Sequence, residues 1–356
     1  MSIKHAVYRL SKAVGLFRLA RRLTAGQLRI LCYHGVALGD EWRMAPGLFM
    51  RPETFDARFD LIARGRYPVL SLSEALERLD RGELPACAVV ITYDDGFYGN
   101  LAHGRETIGR FGWPMTYYVT TYYAVKETPI FRVLARYLFW KTSRTELTLD
   151  GLPGLEPGKL RLDGDPARVE EIKWRLIRHA EEHLDEPARV ALSRELARRL
   201  GLDYDELAAS RRFSLMTPAE LSDLAAAGGD LQLHTHRHRL PVDREEVGRE
   251  IQDNRDVLEP IAGRPLAHLC YPSGAFDRDQ WPWLEALGVA SATTTLPGFN
   301  DRDRPRMGLT RFLDQEDIAP IVFEAELSGF AELLRRARQR VRGRGEPTAV
   351  AAAQGH

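Results

Sequence analysis

Cysteine is scarce: the 356-residue chain holds three, Cys32, Cys87 and Cys270, each far from the others. This excludes a CxxC metal or redox pair and a disulfide framework, and it fits a reducing compartment. No run of about 18 apolar residues occurs, which excludes a membrane-spanning helix of ordinary length. Net charge is lacking as well. Lys+Arg and Asp+Glu number 50 each, so the molecule as a whole has no electrostatic pull towards nucleic acid, and no such partner is expected. Acidic residues are missing from the first 39 positions, Asp40 being the first. No internal repeat is visible.

The opening "MSIKHAVYRLSKAVGLFRLARRLTAGQ" also lacks the continuous apolar core of a secretion signal, because charges interrupt it throughout. A cytoplasmic location is therefore expected. Ile3, Val7, Leu10, Val14 and Phe17 follow the 4-3-4-3 spacing of one helical face. Lys4, Arg9, Lys12, Arg18, Arg21 and Arg22 cover much of the rest. Such a basic amphipathic helix can pack on its own domain, meet a partner helix, or lie through residues 3–22 in an anionic membrane surface, here its inner face.

Further along, apolar strands alternate with amphipathic helices. "LRILCYHGV" reads as a buried strand and "RPETFDARFDLIARG" as a helix with Phe55, Phe59 and Ile62 on one face. In "YPVLSLSEALERLDRG" a short strand precedes a helix opened by the capping box Ser71/Glu74. "CAVVITYDDG" and "MTYYVTTYY" are the next strands. The pattern stops between residues 124 and 214, where "ELTLDGL" and "KLRLDGD" suggest small β pieces and two charged helices follow. Apolar positions there (Ile172, Leu176, Ile177, Leu184) look sparse, so this insertion reads as a surface lid, a substrate-side elaboration or a structural embellishment. Alternation resumes with the cap Thr217-Pro218-Ala219-Glu220 and the strands "DLQLH", "AHLCYP", "VASATTT" and "GLTRFL".

The expected class is α/β, a parallel sheet with helices outside it and a mostly helical insertion. The expected organisation is an N-terminal helix (1–27), the strand-helix domain (28–123 and 215–333), the insertion (124–214) and a disordered tail (334–356).

Chemically useful residues gather at the C-terminal ends of the predicted strands. His34 follows "RILCY", Asp94 and Asp95 follow "VVITY", "HTHRH" follows "DLQL", and "YPSG" follows "HLC". In a barrel of parallel strands those ends share one face, where such enzymes place their sites. Three histidines in five residues suggest a metal, a solvated His-rich loop being the alternative. In an extended strand His234 and His238 stand about 13 Å apart, whereas His234 and His236 stand about 7 Å apart on one face. A helical turn would instead bring His234 and His238 together, so both pairs stay open. Two histidines and one of the two aspartates make a three-ligand site with open positions, a catalytic arrangement. The donor set suits zinc in the first place, then cobalt, nickel or iron.

"TYDDG" followed far downstream by "HTHRH" and "YPSG" resembles the polysaccharide deacetylase family, the NodB-like carbohydrate esterases of family 4, over roughly residues 28–315. Its first motif is Thr-Phe/Tyr-Asp-Asp-Gly and its second His-Ser/Thr-x-x-His. The resemblance implies Asp94 as general base, Asp95, His234 and His238 as ligands of one divalent metal, and His236 as a neighbour outside the ligand set. It implies a distorted (β/α) barrel of about seven parallel strands, and hydrolysis of an N-acetyl group on an amino sugar, in a polysaccharide, oligosaccharide or lipid-linked glycan. The oxyanion would be met near Tyr271, Pro272 and Ser273. The alternatives are a non-sugar amide or O-acetyl ester as substrate, or a non-catalytic carbohydrate-binding relative.

The sequence departs from the family at two points. Many members carry Arg-x-Pro-Tyr in the third motif, and here the matching positions are Cys270-Tyr271-Pro272-Ser273, without the arginine that holds the base. Arg311 in "LTRF" is the candidate replacement, a structural arginine being the alternative. No late histidine other than His356 is available as general acid. In the similar poly-N-acetylglucosamine deacetylase subgroup an early Tyr-His supplies the acid, here His34, and "GVASATTTLPGFN" also resembles that subgroup; otherwise His34 is a buried, hydrogen-bonded histidine. Tyr98 is a candidate for the cleft rim. Trp281 and Trp283 could stack on a sugar, but their spacing beside Leu284 and Leu287 favours the core.

Overall fold

The computed structural model describes residues 3–342 and 349–350. Its centre is one sheet of seven strands: β1 Arg29–Tyr33, β2 Val89–Tyr93, β3 Met115–Val119, β4 Gly229–Leu233, β5 His268–Cys270, β6 Ser291–Thr293 and β7 Phe312–Leu313. Every pairing is parallel, in the order β6-β5-β4-β3-β2-β1-β7. The two edges meet again through one parallel bridge, Thr293 to Leu309. The sheet thus curls into the distorted (β/α) barrel that the resemblance implies, from the parallel strand-helix alternation read in the sequence. The stretch before Ser71, read as a strand, forms only an isolated bridge from Val69 to Val89, because the helix cap follows within two residues.

Strands β1, β2 and β3 are buried along their whole length, which is why their sequences are nearly continuous in apolar and β-branched residues. Alternation sorts their side chains onto two faces. Leu31, Tyr33, Ile91, Tyr93, Tyr117 and Val119 join the main core with helix residues such as Phe55, Phe59, Leu224 and Ile251. Ile30, Val90, Tyr118 and Cys270 form a separate cluster with Leu72, Ala75 and Leu79 of the helix Leu72–Arg81. The predicted caps are present: Ser71 accepts the Glu74 N–H, and Thr217 and Glu220 form a complete capping box.

The insertion is more apolar inside than its sequence suggests. The helices Phe131–Lys141, Pro166–His183 and Glu186–Leu200 enclose a second core with a small antiparallel hairpin, Glu146–Thr148 with Lys159–Arg161. Ile172, Leu176 and Ile177, whose sparseness suggested a surface piece, are buried in it, and Leu184 is half-buried. Phe131, Leu134, Leu138, Leu192 and Leu196 add what a reading of the two charged helices alone leaves out. Phe49, from the short strand Phe49–Met50 paired with Gly35–Val36, and Phe97, from the turn after β2, enter the same core with ring centroids 5.0 Å apart.

The N-terminal segment forms two helices, α1 Ile3–Ala13 and α2 Leu16–Leu23, broken at Gly15 in the left-handed region (φ 83°). They pack through Tyr8 and Phe17 on Ile321, Val322 and Ala325 of α3 Pro320–Leu327 and on Ala331 of α4 Phe330–Arg342. Of the predicted stripe only Phe17 is buried; Ile3, Val7, Leu10 and Val14 stay exposed. The buried Arg29 guanidinium donates to the carbonyls of Thr24 (3.2 Å) and Leu327 (2.8 Å), tying the ends of α2 and α3 to β1. Helix α4 runs to Arg342, past residue 334 where disorder was expected, because Ala331 and Leu334 share this cluster. Residues 349–350 pair with Phe276–Asp277, and the tail positions 343–348 and 351–356 lie outside the described residues.

Leu176 is fully buried at the centre of the second core. Leu176→Ala is expected to cost about 2–5 kcal/mol, read as a lower urea midpoint in denaturant unfolding. A cost under about 0.5 kcal/mol would mean that the insertion core is not packed as described.

Candidate active site

Strand register sets the site. Tyr33 pairs with Tyr93, Leu233 with Leu269 and Cys270 with Thr293. The next residues along these strands, His34, Asp94, His234 and Tyr271, therefore leave the barrel at one mouth. The Asp94 N–H donates to Tyr33 O at 2.8 Å, and the Thr120 N–H donates to Asp95 O at 3.2 Å, so the two carboxylates grow directly from the sheet. Asp95, Thr235, His238 and Ser273 all have positive φ (70°, 62°, 53° and 55°). Backbone in this region is uncommon for residues with a side chain and clusters at sites where surrounding structure over-determines it.

The two aspartates have different surroundings. Asp94 is fixed by Arg311, which lies one residue ahead of β7. Nη1 donates to Oδ1 and Nη2 to Oδ2, both at 2.7 Å, a bidentate pair with the guanidinium at 0% exposure and the carboxylate at 5%. Arg311 also donates to Thr294 O (3.0 Å) and Thr92 Oγ1 (3.1 Å) and touches Cys270 Sγ (3.0 Å). The thiols of Cys270 and Cys32 approach Asp94 Oδ2 at 3.3 and 3.4 Å. His34 Nε2 stands 4.0 Å from the same oxygen. Burial alone would raise the Asp94 pKa. Arg311, helped by His234 and His34, overrides burial and holds the carboxyl well below the usual carboxylate range.

Asp95 instead faces histidines. Its Oδ1 lies 3.3 Å from Nε2 of His234 and 3.3 Å from Nε2 of His238. His234 Nδ1 lies 2.9 Å from Cys270 O. A carbonyl only accepts, so Nδ1 carries the hydrogen and Nε2 presents a lone pair. That Nε2 is buried and has no hydrogen-bond partner, a cost that a Lewis acid would remove. Bonds of about 2.0–2.1 Å at a tetrahedral angle separate two ligand atoms by about 3.3–3.4 Å, the spacing seen here. Asp95, His234 and His238 therefore fit a divalent transition metal. Two other clusters, Cys32/His34/Asp94 and Asp94/His234/Cys270, have metal-ligating donors within reach of one another. Both share Asp94, whose two oxygens already hold a guanidinium, and a second cation there would meet its repulsion.

The pairing His234 with His238 follows from a turn within "HTHRH". Thr235 Oγ1 accepts the Arg239 N–H at 3.1 Å, and the Glu250 carboxylate takes the Arg237 N–H at 2.8 Å. His236 points elsewhere, its Nδ1 2.8 Å from Thr121 Oγ1. Asn254 accepts the His234 N–H at 3.0 Å and donates to Val119 O and Thr121 Oγ1. The roles of Glu250 and Asn254 were not read from sequence. Their signal was there: two polar residues at i,i+4 within the buried stripe Val247, Ile251, Leu258 of the helix Arg244–Ala262. The thiols of Cys32 and Cys270 against Asp94 gave no comparable signal.

Other candidates sit less favourably. Tyr271 is 1% exposed and its hydroxyl donates to Met307 O at 2.9 Å, so its side chain is turned into the core and cannot meet a substrate. Pro272 is buried and Ser273 half-buried at the mouth. Tyr98 is half-buried under the Arg211 guanidinium, 4.2 Å from its ring centroid. Trp281 and Trp283 pack against the main core.

Removing one member of the buried pair leaves the other charge uncompensated. Arg311→Met is expected to cost about 3–5 kcal/mol of stability, measured by denaturant unfolding. The double variant Arg311→Met/Asp94→Asn is expected to recover much of that loss. Equal cost in single and double variants would show that the pair itself is not what Arg311 stabilises.

No curated protein matches the sequence significantly. The family model for polysaccharide deacetylase matches residues 179–292, a segment that includes "HTHRH" and "YPSG". Among solved structures, the fold is similar to that of the Streptococcus pyogenes deacetylase PplD in complex with acetate (TM-score 0.55, 15% identity, 85% of this chain and 98% of that one). It is similar to a de-N-acetylase from Aggregatibacter actinomycetemcomitans (0.51, 11%, 84% and 99%). It is also similar to IcaB from Ammonifex degensii (0.50, 15%, 86% and 97%). "TYDDG" and "HTHRH" thus meet at one barrel mouth, and over residues 179–292 the chain is similar to the polysaccharide deacetylase family.

Proposed function

We propose that the chain is a metal-dependent hydrolase that removes N-acetyl groups from an amino sugar within a glycan or glycolipid. The observation that carries this is the pairing of two unequal carboxylates: Asp95 facing His234 and His238, and Asp94 locked by Arg311 beside His34. A carbohydrate-binding relative without activity has no use for a buried, oriented base next to a complete ligand set. Two of the similar structures, a de-N-acetylase and a deacetylase in complex with acetate, favour the same chemistry.

A divalent ion held by Asp95, His234 and His238 would supply Lewis-acid polarisation of the acetyl carbonyl and a more acidic water. The chain's own residues handle the protons. Asp94 accepts one from the attacking water as the new C–O bond forms. Arg311 fixes both oxygens of Asp94, so the base is oriented before substrate arrives. His34, 14% exposed at its side chain and 4.0 Å from Asp94, gives a proton to the amide nitrogen as the C–N bond breaks. The products are acetate and the free amine. Backbone at Pro272–Gly274 lies at the same mouth and is the candidate partner for the developing oxyanion.

Asp94→Asn is expected to retain bound metal and lose about 10²–10⁴-fold in acetate release from N-acetylated chito-oligosaccharides. His34→Ala is expected to do the same, while His238→Ala loses the ion. Metal content by elemental analysis, read beside turnover, checks all three. Loss of the ion from Asp94→Asn would exchange the roles of the two aspartates. Acetate release from O-acetyl esters but not from N-acetyl sugars would replace the substrate class proposed.

A further inference from the structure

The helices α1 and α2 leave an apolar stripe uncovered. On α1 it comprises Ile3, Val7 and Leu10, continued by Val14 just past its end, and on α2 Leu16, Leu19 and Leu23. Their exposures run from 39% at Leu16 to 84% at Ile3, although both helices are held firmly on the domain. The contacts that hold them use other residues: Tyr8 and Phe17 in the cluster with α3 and α4, Ala20 buried beside them, and Lys12 paired with Glu324. On each helix the exposed residues recur at the 3-4 spacing of one face. Scattered surface leucines need no explanation; seven large aliphatics on consecutive helices, none used for packing, do.

The charge around this stripe has one sign. Residues 3–23 carry six basic side chains (Lys4, Arg9, Lys12, Arg18, Arg21, Arg22) and no acid, in a chain whose charges otherwise balance. The acids on the helices packed against them are neutralised: Glu324 by Lys12, Glu326 by Arg335, and Glu332 by Arg335 and Arg336. Helix α4 then adds the exposed Arg338 and Arg340. No helix among the described residues is long and apolar enough to cross a membrane. An apolar face of single aliphatic residues bordered by lysine and arginine is the composition of a helix that lies in a lipid interface, its apolar side among acyl chains and its cations at the headgroups. A second copy of the chain would bring the same six cations against themselves, which disfavours self-association through this face.

We propose that residues 3–23 are a docking face for an anionic lipid surface, seating the enzyme at a membrane interface with its catalytic barrel in water. The proposal is independent of the substrate, because its test reads binding and not turnover.

The test is co-sedimentation of the full chain with vesicles of phosphatidylcholine alone and of phosphatidylcholine with 30% phosphatidylglycerol, at low and high salt. Binding is expected to the anionic vesicles only, weakening as salt screens the contact. Leu10→Glu/Leu19→Glu places acids in the stripe without touching a buried residue, and is expected to reduce partitioning at least tenfold with unchanged thermal unfolding. Arg18→Gln/Arg22→Gln is expected to reduce it severalfold for anionic vesicles. No binding to anionic vesicles, or binding unchanged in Leu10→Glu/Leu19→Glu, overturns the proposal. So does a stable dimer, seen by light scattering, that the same double variant dissociates.

Discussion

The bidentate pair between Arg311 and Asp94 is the constraint on which the site's design rests. Asp94 is buried next to a second carboxylate, and two adjacent buried anions would otherwise push each other towards protonation. The guanidinium removes that conflict at Asp94 and leaves Asp95 as the anion open to a metal. It also closes the barrel seam chemically, since the same side chain donates to Thr294 at the end of β6 while its own backbone leads into β7. One interaction thus separates the roles of two neighbouring carboxylates and joins the edges of the sheet that carries them.

Most of the barrel and most residues gathered at its mouth were legible in the sequence, for identifiable reasons. Buried parallel strands read as apolar runs, and polar residues at four of their ends stood out against them. Ser71 and Thr217 announced their helices because a capping box is local chemistry. Arg311 was found by asking what could stand in for the missing third-motif arginine, and the structure puts it against Asp94. The pairing of His234 with His238 was not derivable from spacing, since it depends on positive φ at Thr235 and His238 and on the distant Glu250. Tyr271 faced the same difficulty: a strand-end position does not reveal that a ring turns inward to Met307.

Two further differences share one cause, which is that local periodicity reports a face but not what covers it. The charged helices of the insertion looked poorly apolar when counted alone, yet the helix Phe131–Lys141 completes their core. At the N-terminus the regular stripe was real, but packing uses Tyr8 and only Phe17 of the stripe, leaving its other residues outside. A hydrophobic pattern is therefore as good a sign of an external partner as of an internal one when its flanks carry a single sign of charge.

The separation of Asp94 and Arg311 along the chain, 217 residues, has a consequence for biosynthesis. At about 5–20 residues per second, the ribosome delivers the arginine roughly ten to forty seconds after the aspartate it neutralises. During that interval β1 to β6 can emerge with both carboxylates, His234 and His238 in place but without the arginine. The nascent barrel is then most acidic at its mouth, and its catalytic register becomes settled only when the final strand arrives.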